Sequence, residues 1–367
     1  MRVCYVVNGV SETSVPATIA TAVTERYDVT IDILAWFDAS SFRGDEEVDV
    51  TCLEAPRSGL GVDLQTYRNA TEKLSGYDLV QVHECHSGAI AKLITKQLGI
   101  PTVSREGNMR KGFTKKGRIA NGVTNRLADR IVCNSQAVYN SFKRWEKAII
   151  SDESVEIIPN GVNLAQIDAV SDSRSLHRRY DISEDSIVIG TASVISEQKS
   201  LDTLVRGVEI ANTQCAELIE LVIMGDGPLR GDIEQLATDC GISDRLTVTG
   251  YIDRAEVFEL LNQIDIYAMP SLWEGFSSAA VEALAARNAC VFSDIEAFAL
   301  PYNDVALFHT LRDPNDLANR LVTLVDSPER RSELAHRGRE LVEKRYTIES
   351  VSEKYMHLYT ELTSHVS

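Results

Sequence analysis

Two glutamates, Glu274 and Glu282, flank the junction between a predicted strand and a predicted helix. The strand reads IDIYAMP, the connection reads PSLWEGFSS, and the helix reads AAVEALAA. A helix that begins directly after a strand presents free N–H groups and the positive end of its dipole, which favour an anion. The two carboxylates can accept hydrogen bonds from hydroxyl groups. A ligand with phosphate in the middle and polyols at both ends, such as a nucleotide-sugar, satisfies every part of this pattern.

The elements around this junction alternate short apolar strands with helices, a pattern typical of parallel, doubly wound sheets. The alternation runs twice, with a Pro-Asn-Gly turn and a polar stretch between the two runs. We therefore predict an α/β protein with two Rossmann-like domains, residues 1–165 and 166–344, and a last helix within 345–367 that completes the first domain. If the two domains face each other, their strand ends place a ligand in a central cleft.

Composition narrows the function classes. The chain has 367 residues, is 44% hydrophobic and carries a net charge of −17, which argues against nucleic acid as a partner. No apolar run has the length of a membrane helix, and the opening MRVCYVVNGVSETS reads as a first strand, not a signal peptide. Seven scattered cysteines without a C-x-x-C pair predict buried thiols in a reducing cytoplasm.

One segment departs from the acidic trend. Arg105–Arg118, REGNMRKGFTKKGR, holds six basic residues against one acid. Its three glycines make a regular helix unfavourable, so we predict a loop. Two interpretations remain open: a solvated surface loop, or a mobile basic loop in which Lys115 and Lys116 meet an anionic acceptor or a lipid headgroup surface.

The junction, with Pro-Ser-x-x-Glu-Gly-Phe in register, resembles the E-x7-E motif of glycosyltransferase family 4. The segments IGTASVISEQKSLDTL, LVIMGDGPLRGDI and IPNGVN are similar to that family too. The resemblance is strong over residues 157–294 and only topological before residue 131. It implies a GT-B fold and a retaining transfer of sugar from a nucleotide diphosphate-sugar, with neither a metal nor a further cofactor.

The resemblance also implies roles for single residues. Glu282 would accept hydrogen bonds from the ribose, Lys199 would contact the diphosphate, and Glu274 would orient the donor sugar. Further residues expected at the donor are Gly9, Gly225, Tyr251, Gly275, Phe276, Ser277 and Ser278.

Several positions depart from the family pattern. Ser193-Val194 replaces the usual Gly-Arg that shares the diphosphate, Ser200 follows the lysine where glycine is usual, and EAFALPYND follows Asp294. In the first half a single glycine, Gly9, stands where the family has two. Arg105 and Glu106 stand where the family often has a histidine, so either is expected beside the sugar. His83 is a further candidate for acceptor or donor contact.

We therefore expect an enzyme that builds a lipid-linked glycan or cell-surface polysaccharide precursor, cytoplasmic or peripheral on the inner face of a membrane. A catalytically silent member that binds a nucleotide or a partner transferase is the alternative, motivated by Val194, Gly9 and the missing histidine. The hypothesis of an NAD-dependent oxidoreductase is weaker, because the spacing of Gly225, Gly227 and Gly231 does not match G-x-G-x-x-G. A metal site within residues 83–86 is weaker still, because neighbours on a strand point to opposite faces.

Overall fold

The computed structural model of the protein describes residues 1–11, 14–41, 48–56, 63–83, 86–169 and 175–364. The chain divides into two compact units, one of Met1–Gly161 with Ile348–Ser367 and one of Val162–Thr347. Glu84 and Cys85, which belong to the weak metal candidate, lie outside the described residues.

The first unit is built on a seven-stranded parallel sheet of order β3-β2-β1-β4-β5-β6-β7. Its strands are β1 Arg2–Ser11, β2 Thr30–Ser41, β3 Val50–Cys52, β4 Leu79–His83, β5 Thr102–Glu106, β6 Arg130–Cys133 and β7 Val155–Ile157. Its helices are α1 Val15–Thr24, α2 Leu64–Leu74, α3 His86–Leu98, α4 Lys115–Thr124, α5 Gln136–Asn140, α6 Arg144–Lys147 and, from the C-terminus, α16 Ile348–Ser364.

Helices cover both faces of this sheet, because alternate residues of each strand point to opposite sides. Val3 and Tyr5 pack with Tyr355 and Tyr359 of α16, whereas Cys4 and Val6 pack on the other face. The hydroxyls of Tyr5 and Tyr359 are 2.7 Å apart, so α16 is fixed to the first unit by a buried hydrogen bond as well as by apolar contact.

The second unit is built on a six-stranded parallel sheet of order β10-β9-β8-β11-β12-β13. Its strands are β8 Ile187–Ala192, β9 Ile219–Met224, β10 Leu246–Val248, β11 Ile266–Met269, β12 Ala289–Ser293 and β13 Ala306–His309. Its helices are α7 Leu164–Asp168, α8 Ser175–Tyr180, α9 Leu201–Asn212, α10 Arg230–Asp239, α11 Arg254–Leu261, α12 Ser278–Ala285, α13 Glu296–Tyr302, α14 Pro314–Val325 and α15 Pro328–Arg345.

Strand order in the second unit reverses between β8 and β11. From β8 the chain moves outward through β9 and β10, then returns to β11 and moves the other way through β12 and β13. Such a reversal opens a crevice at the carboxyl ends of the two central strands, where open α/β sheets bind ligands. The prediction of two doubly wound parallel α/β domains is confirmed.

The basic segment Arg105–Arg118 differs from its prediction as a glycine-interrupted loop. Its last residues open α4, in which Thr114 caps the helix by accepting from the Gly117 N–H at 3.1 Å. Arg110 is buried and pairs with Glu106 and Glu146, each at 2.7 Å. Tertiary packing therefore overrides the low helix propensity of the glycines.

A buried polar network lies beneath α4. Asn121 and Asn125 each donate to one oxygen of Glu106 at 2.8 Å, and Lys92 donates to Asn121 at 2.9 Å. Burial alone raises the pKa of Glu106, but the charges of Arg110 and Lys92 outweigh it and lower the pKa to about 2. Glu106 is therefore a buried anion that needs its cations.

We predict that Arg110→Met lowers the free energy of unfolding by about 3–5 kcal/mol, because it leaves two carboxylates buried without their guanidinium. Arg26→Met, which removes a surface arginine paired with Glu349, is the control and should cost at most about 1 kcal/mol. Denaturant unfolding measures both, and equal losses would show that the Arg110 pairs are not desolvated.

The contribution of Glu106 also predicts a pH dependence. Since its folded pKa of about 2 lies below the value in an unfolded chain, its stabilisation is complete above the unfolded pKa and is lost as the pH falls towards 2.

Candidate functional site

The candidate site is built on four of the connections at the carboxyl edge of the second unit's sheet, those after β8, β9, β10 and β11. They carry the residues predicted from the donor motifs: Lys199 after β8, Gly225 after β9, Tyr251 after β10, and Glu274 after β11. Because all four strands run parallel, these connections lie at one edge of one sheet. The topological reversal between β8 and β11 places Lys199 and Glu274 in neighbouring connections.

Lys199 and Glu274 form an ion pair. Lys199 Nζ lies 2.7 Å from Glu274 Oε1, and the two side chains are 17% and 8% exposed. Gln198 holds the pair in place through two hydrogen bonds. Its side-chain amide donates to the Trp273 carbonyl at 2.9 Å, and its backbone carbonyl accepts from the Leu272 N–H at 2.8 Å. Gln198 was not predicted from the sequence, because a glutamine at this position does not by itself indicate these hydrogen bonds.

The turn that carries Lys199 has an unusual backbone. Ser200, which follows the lysine, has φ of 49° and ψ of 44°, a left-handed conformation that favours glycine. This explains why glycine is usual at that position. Ser200 is 4% exposed, and its Oγ lies 3.0 Å from Thr203 Oγ1 in the first turn of α9.

The connections after β8 and β9 are packed backbone to backbone. Gly225 has φ of 149°, and a Cβ there would strike the carbonyl of Ser193. A Cβ on Gly227 would strike the Ile195 carbonyl oxygen and lie 2.7 Å from the Ile195 amide nitrogen. The glycines are therefore required by the close approach of these two turns. Val194, in place of the usual arginine, is 60% exposed.

The junction after β11 folds as predicted. Ser277 caps α12 by accepting from the Ala280 N–H at 3.2 Å, and Ser278 is the first residue of the helix. The Ser277 hydroxyl is therefore occupied within the protein. Phe276 is half-buried with its ring 6.1 Å from that of Tyr346, so it packs into the core, and Gly275 keeps the chain next to Glu274.

Glu282 lies on the second turn of α12 and is 4% exposed. Its Oε1 pairs with the guanidinium of Arg254, the first residue of α11. Burial raises the pKa of Glu282, and the charge of Arg254 opposes that rise. Arg254 was not predicted from the sequence, although Asp253-Arg254 follows Gly250-Tyr251 after a single residue, Ile252, and Asp253 is a typical helix N-cap.

The end of β10 contributes an open aromatic ring. Tyr251 is 90% exposed and follows Gly250, which has φ of 72°. Arg230 lies close to this turn, since a Cβ on Gly250 would be 3.3 Å from its Nη1. A large exposed ring beside a strand end offers a flat surface on which a base can stack.

A cavity of about 640 Å³ lies between the 195–203 segment and α10. Neither Lys199, Glu274 nor Glu282 lines it, and its lining mixes Arg206 and Arg312 with acidic residues. We therefore place the candidate site at the sheet edge, where the charged pairs are, and not in this cavity.

The candidates of the first unit have mainly internal contacts. Gly9, which the resemblance placed at the donor, lies within β1 and is paired with Asp38 of β2. His83 is 7% exposed, and burial together with the charge of Arg105 holds its pKa well below the usual value. Arg105 is 5% exposed and donates to the hydroxyl of Tyr355 at 3.1 Å and to Asn160.

Glu106, which was expected beside a sugar, is surrounded by partners from within the protein. Its carboxylate is fully buried and both oxygens accept hydrogen bonds from within the protein. Lys115 and Lys116, in contrast, are exposed in the first turn of α4.

Among the described residues, no cluster of His, Cys, Asp and Glu has the arrangement of a metal site. No helix in the described part of the chain has the length and apolar character needed to cross a membrane. The six cysteines that the structure describes are all free thiols.

Sequence comparison decides the family. Residues 17–166 match the family described as Glycosyltransferase Family 4, and residues 172–341 match the one described as Glycosyl transferases group 1. The chain belongs to glycosyltransferase family 4. Its fold is GT-B, as the motifs implied.

Sequence relatives of this chain are named as sugar transferases. The chain is 28% identical to a phosphatidyl-myo-inositol mannosyltransferase of Mycobacterium leprae over 61% of this chain and 58% of the relative. It is 23% identical to a UDP-Gal:alpha-D-GlcNAc-diphosphoundecaprenol alpha-1,3-galactosyltransferase of Escherichia coli, over 64% and 65% respectively. Both matches span less than two thirds of the relative's length.

Among solved structures, Anabaena HepE in complex with UDP and glucose superposes with a TM-score of 0.81, 16% identity and coverage of 98% of this chain and 100% of that chain. The sucrose-phosphate synthase of Thermosynechococcus elongatus superposes with a TM-score of 0.80, 18% identity and 99% coverage of both chains. At these identities the likeness shows the fold.

We predict that Gly227→Ala lowers the free energy of unfolding by about 1–3 kcal/mol, because its Cβ meets backbone that cannot rotate away. Gly231→Ala is the matched control: no atom lies within 4 Å of its Cβ, and it is in α10, so stability should be unchanged or rise by up to about 1 kcal/mol. Thermal unfolding of both variants tests the close packing, and two stable proteins would contradict it.

Proposed function

We propose that the protein is a retaining glycosyltransferase that moves a sugar from a nucleotide diphosphate-sugar to a membrane-associated acceptor. The observation that carries the proposal is the pairing of Lys199 with Glu274 and of Arg254 with Glu282 at one sheet edge. The family membership agrees with it, and so do the relatives, which are named as glycosyltransferases.

Each donor group has a chemically suitable partner. The ribose hydroxyls donate to Glu282, the diphosphate is held by the ammonium of Lys199, and Glu274 accepts from hydroxyls of the donor sugar. The base stacks on or lies beside Tyr251, which is exposed for such contact. The structural neighbour HepE was solved with UDP and with UDP-glucose, which supports a ligand of this class.

The reaction that this arrangement suits breaks the bond between the anomeric carbon and the β-phosphate oxygen. The acceptor oxygen forms a bond to the same face of that carbon, its proton passes to the leaving diphosphate, and configuration is retained. Lys199 stabilises the charge that develops on the departing diphosphate. Glu274 stabilises positive character at the anomeric carbon and orients the sugar, without becoming a covalent nucleophile.

Val194 leaves this site one cation short of the usual family pattern, which is what motivated the catalytically silent alternative. In other electrostatic sites the loss of one such donor costs about 10²–10³ in rate. We favour the enzyme because Glu274, the residue assigned to the donor sugar, is present and paired with Lys199, whereas a member that binds only a nucleotide has no use for it.

For the acceptor side we propose contact with an anionic membrane, through a surface we call the basic–apolar face. It consists of Lys115, Lys116, Ile119 and Val123 on α4 and Trp145 on α6. Ile119 and Val123 are 56% and 46% exposed and one helical turn apart, and Trp145, 38% exposed, packs beside Gly122 of the same helix.

Charge supports this partner. Residues 107–147 contain ten basic residues and two acids in a chain with a net charge of −17. One of those acids, Glu146, is buried and paired with Arg110. Two lysines in the first turn of α4 also oppose the helix dipole, so they weaken the helix unless an anion faces them. Exposed apolar side chains beside lysines suit the headgroup region of an anionic bilayer.

The donor assignment predicts that one nucleoside diphosphate among UDP, GDP and ADP stabilises the wild type, by about 2.7 kcal/mol at 100 times its dissociation constant. Glu282→Gln should weaken that affinity about ten- to hundredfold, because hydrogen bonds to a charged acceptor contribute about 1.5–3 kcal/mol. Calorimetric titration measures the affinity of the wild type and of the variant, with Glu234→Gln on the exposed face of α10 as control. If the wild type binds none of the three nucleotides, the proposed function is wrong.

The membrane assignment predicts that Lys115→Glu with Lys116→Glu reduces binding to phosphatidylglycerol-containing vesicles at least about tenfold, at about 1 kcal/mol per basic residue. Acids in the first turn of α4 agree with its dipole, so the variant should remain folded. Lys344→Glu with Arg345→Glu, an adjacent exposed pair on α15, is the matched control. Vesicle co-sedimentation is the measurement, and equal binding by all three proteins would overturn the assignment.

A further inference from the structure

Glu282 occupies a surrounding that disfavours its charged form. The residue is 4% exposed and lies on α12 among buried alanines, Val281 and Leu284. Burial withdraws water from a carboxylate, and the pKa of Glu282 is accordingly raised. A protonated carboxyl is a poorer acceptor for hydroxyl groups than a carboxylate.

Arg254 is the cation that opposes this effect. Its guanidinium pairs with Oε1 of Glu282 and lies over the ring of Phe258, 5.1 Å from the ring centre. Within the described residues Oε2 of Glu282 forms no hydrogen bond, so this oxygen is the one open to a ligand. The arginine side chain is 48% exposed, whereas that of Glu282 is 5% exposed.

Other charged or titratable groups on neighbouring elements have partners of their own. Tyr267 of β11 bonds through its hydroxyl to the Ala192 backbone, and Lys199 is paired with Glu274. On α15, Arg339 donates to the Ala285 carbonyl and pairs with Asp168 of α7 and with Glu343. Arg254 is therefore the residue whose charge is directed at Glu282.

We propose that Arg254 is a positioning residue for nucleotide binding, which holds Glu282 as an aligned carboxylate with one oxygen free for the ribose. The inference rests on the proposed function, because the ribose is the group assigned to Glu282 there. Arg254 acts through Glu282 and makes no contact with the nucleotide. It does not replace the missing arginine of the diphosphate site.

This role has a signature in the pH dependence of binding. In Arg254→Ala, Glu282 is buried without a counter-charge, so its carboxylate form becomes scarcer as the pH falls. Each unit by which the pKa exceeds the pH reduces the carboxylate population about tenfold. As the pH is lowered, the variant should therefore begin to lose affinity for the nucleoside diphosphate at a higher pH than the wild type does. At the mildly acidic end of the range the variant should bind about tenfold more weakly, or worse.

The experiment is a calorimetric titration from mildly alkaline to mildly acidic pH with the nucleoside diphosphate that the wild type binds and with its 2′-deoxy analogue. Comparing variant and wild type at the same pH cancels titration of the ligand's own phosphate. Arg254→Lys should restore most of the affinity and the normal pH profile. Arg179→Ala, which removes an arginine paired with Glu256 on the same helix, should leave both unchanged.

A double-mutant cycle separates positioning from direct contact. In a Glu282→Gln background, Arg254→Ala should cause no further loss, and the preference for ribose over 2′-deoxyribose should already be absent. A persistent loss in that background would mean that Arg254 contacts the nucleotide, and would overturn the inference. A pH-independent loss in the single variant would overturn it too. If the wild type binds no nucleoside diphosphate, the proposed function fails and the inference fails with it.

Discussion

The common direction of the strands in the second unit is the constraint on which its site depends. Because every strand of that sheet is parallel, each connection that follows a strand leaves at the same edge. The order reverses between β8 and β11, which makes the turn of Lys199 and the junction of Glu274 neighbours. Residues far apart in sequence thus meet without any long loop, and the close-packed glycines after β9 hold the neighbouring turns at backbone distance.

The second defining feature of the candidate site is that its two carboxylates are buried. Glu274 and Glu282 are both less than a tenth exposed, and a carboxylate in such a place is stable only with a cation or several hydrogen-bond donors. Each has one cation from a different connection, Lys199 and Arg254 respectively. Both carboxylates are therefore already formed and oriented by the protein itself, and for the polyol ligand proposed above this preorganisation would reduce the free-energy cost of binding.

Much of the fold could be predicted, because apolar periodicity is strong where elements are long or buried on both sides. The strand Ile266–Met269 lies within the predicted IDIYAMP, and the helix Ser278–Ala285 agrees to within one residue at each end with the predicted AAVEALAA. The strands Val50–Cys52 and Ala306–His309 were missed, since such short strands show little periodicity. Helix α4 was missed for another reason: propensity is a weak guide when packing decides, and Gly122 is needed there because Trp145 lies against it.

The site shows the same division between local pattern and tertiary contact. A motif with fixed spacing placed Glu274, Glu282 and Lys199, whereas Arg254 and Gln198 depend on contacts between connections that no spacing reveals. The buried network of Glu106 was likewise not predicted, because its partners come from α4 and from the turn before it. Through these partners Glu106 orients α4. Because Asn121 fixes the inner side of the helix to Glu106, Ile119 and Val123 face outward on the same helix. The buried anion thus determines which side of α4 is presented to solvent.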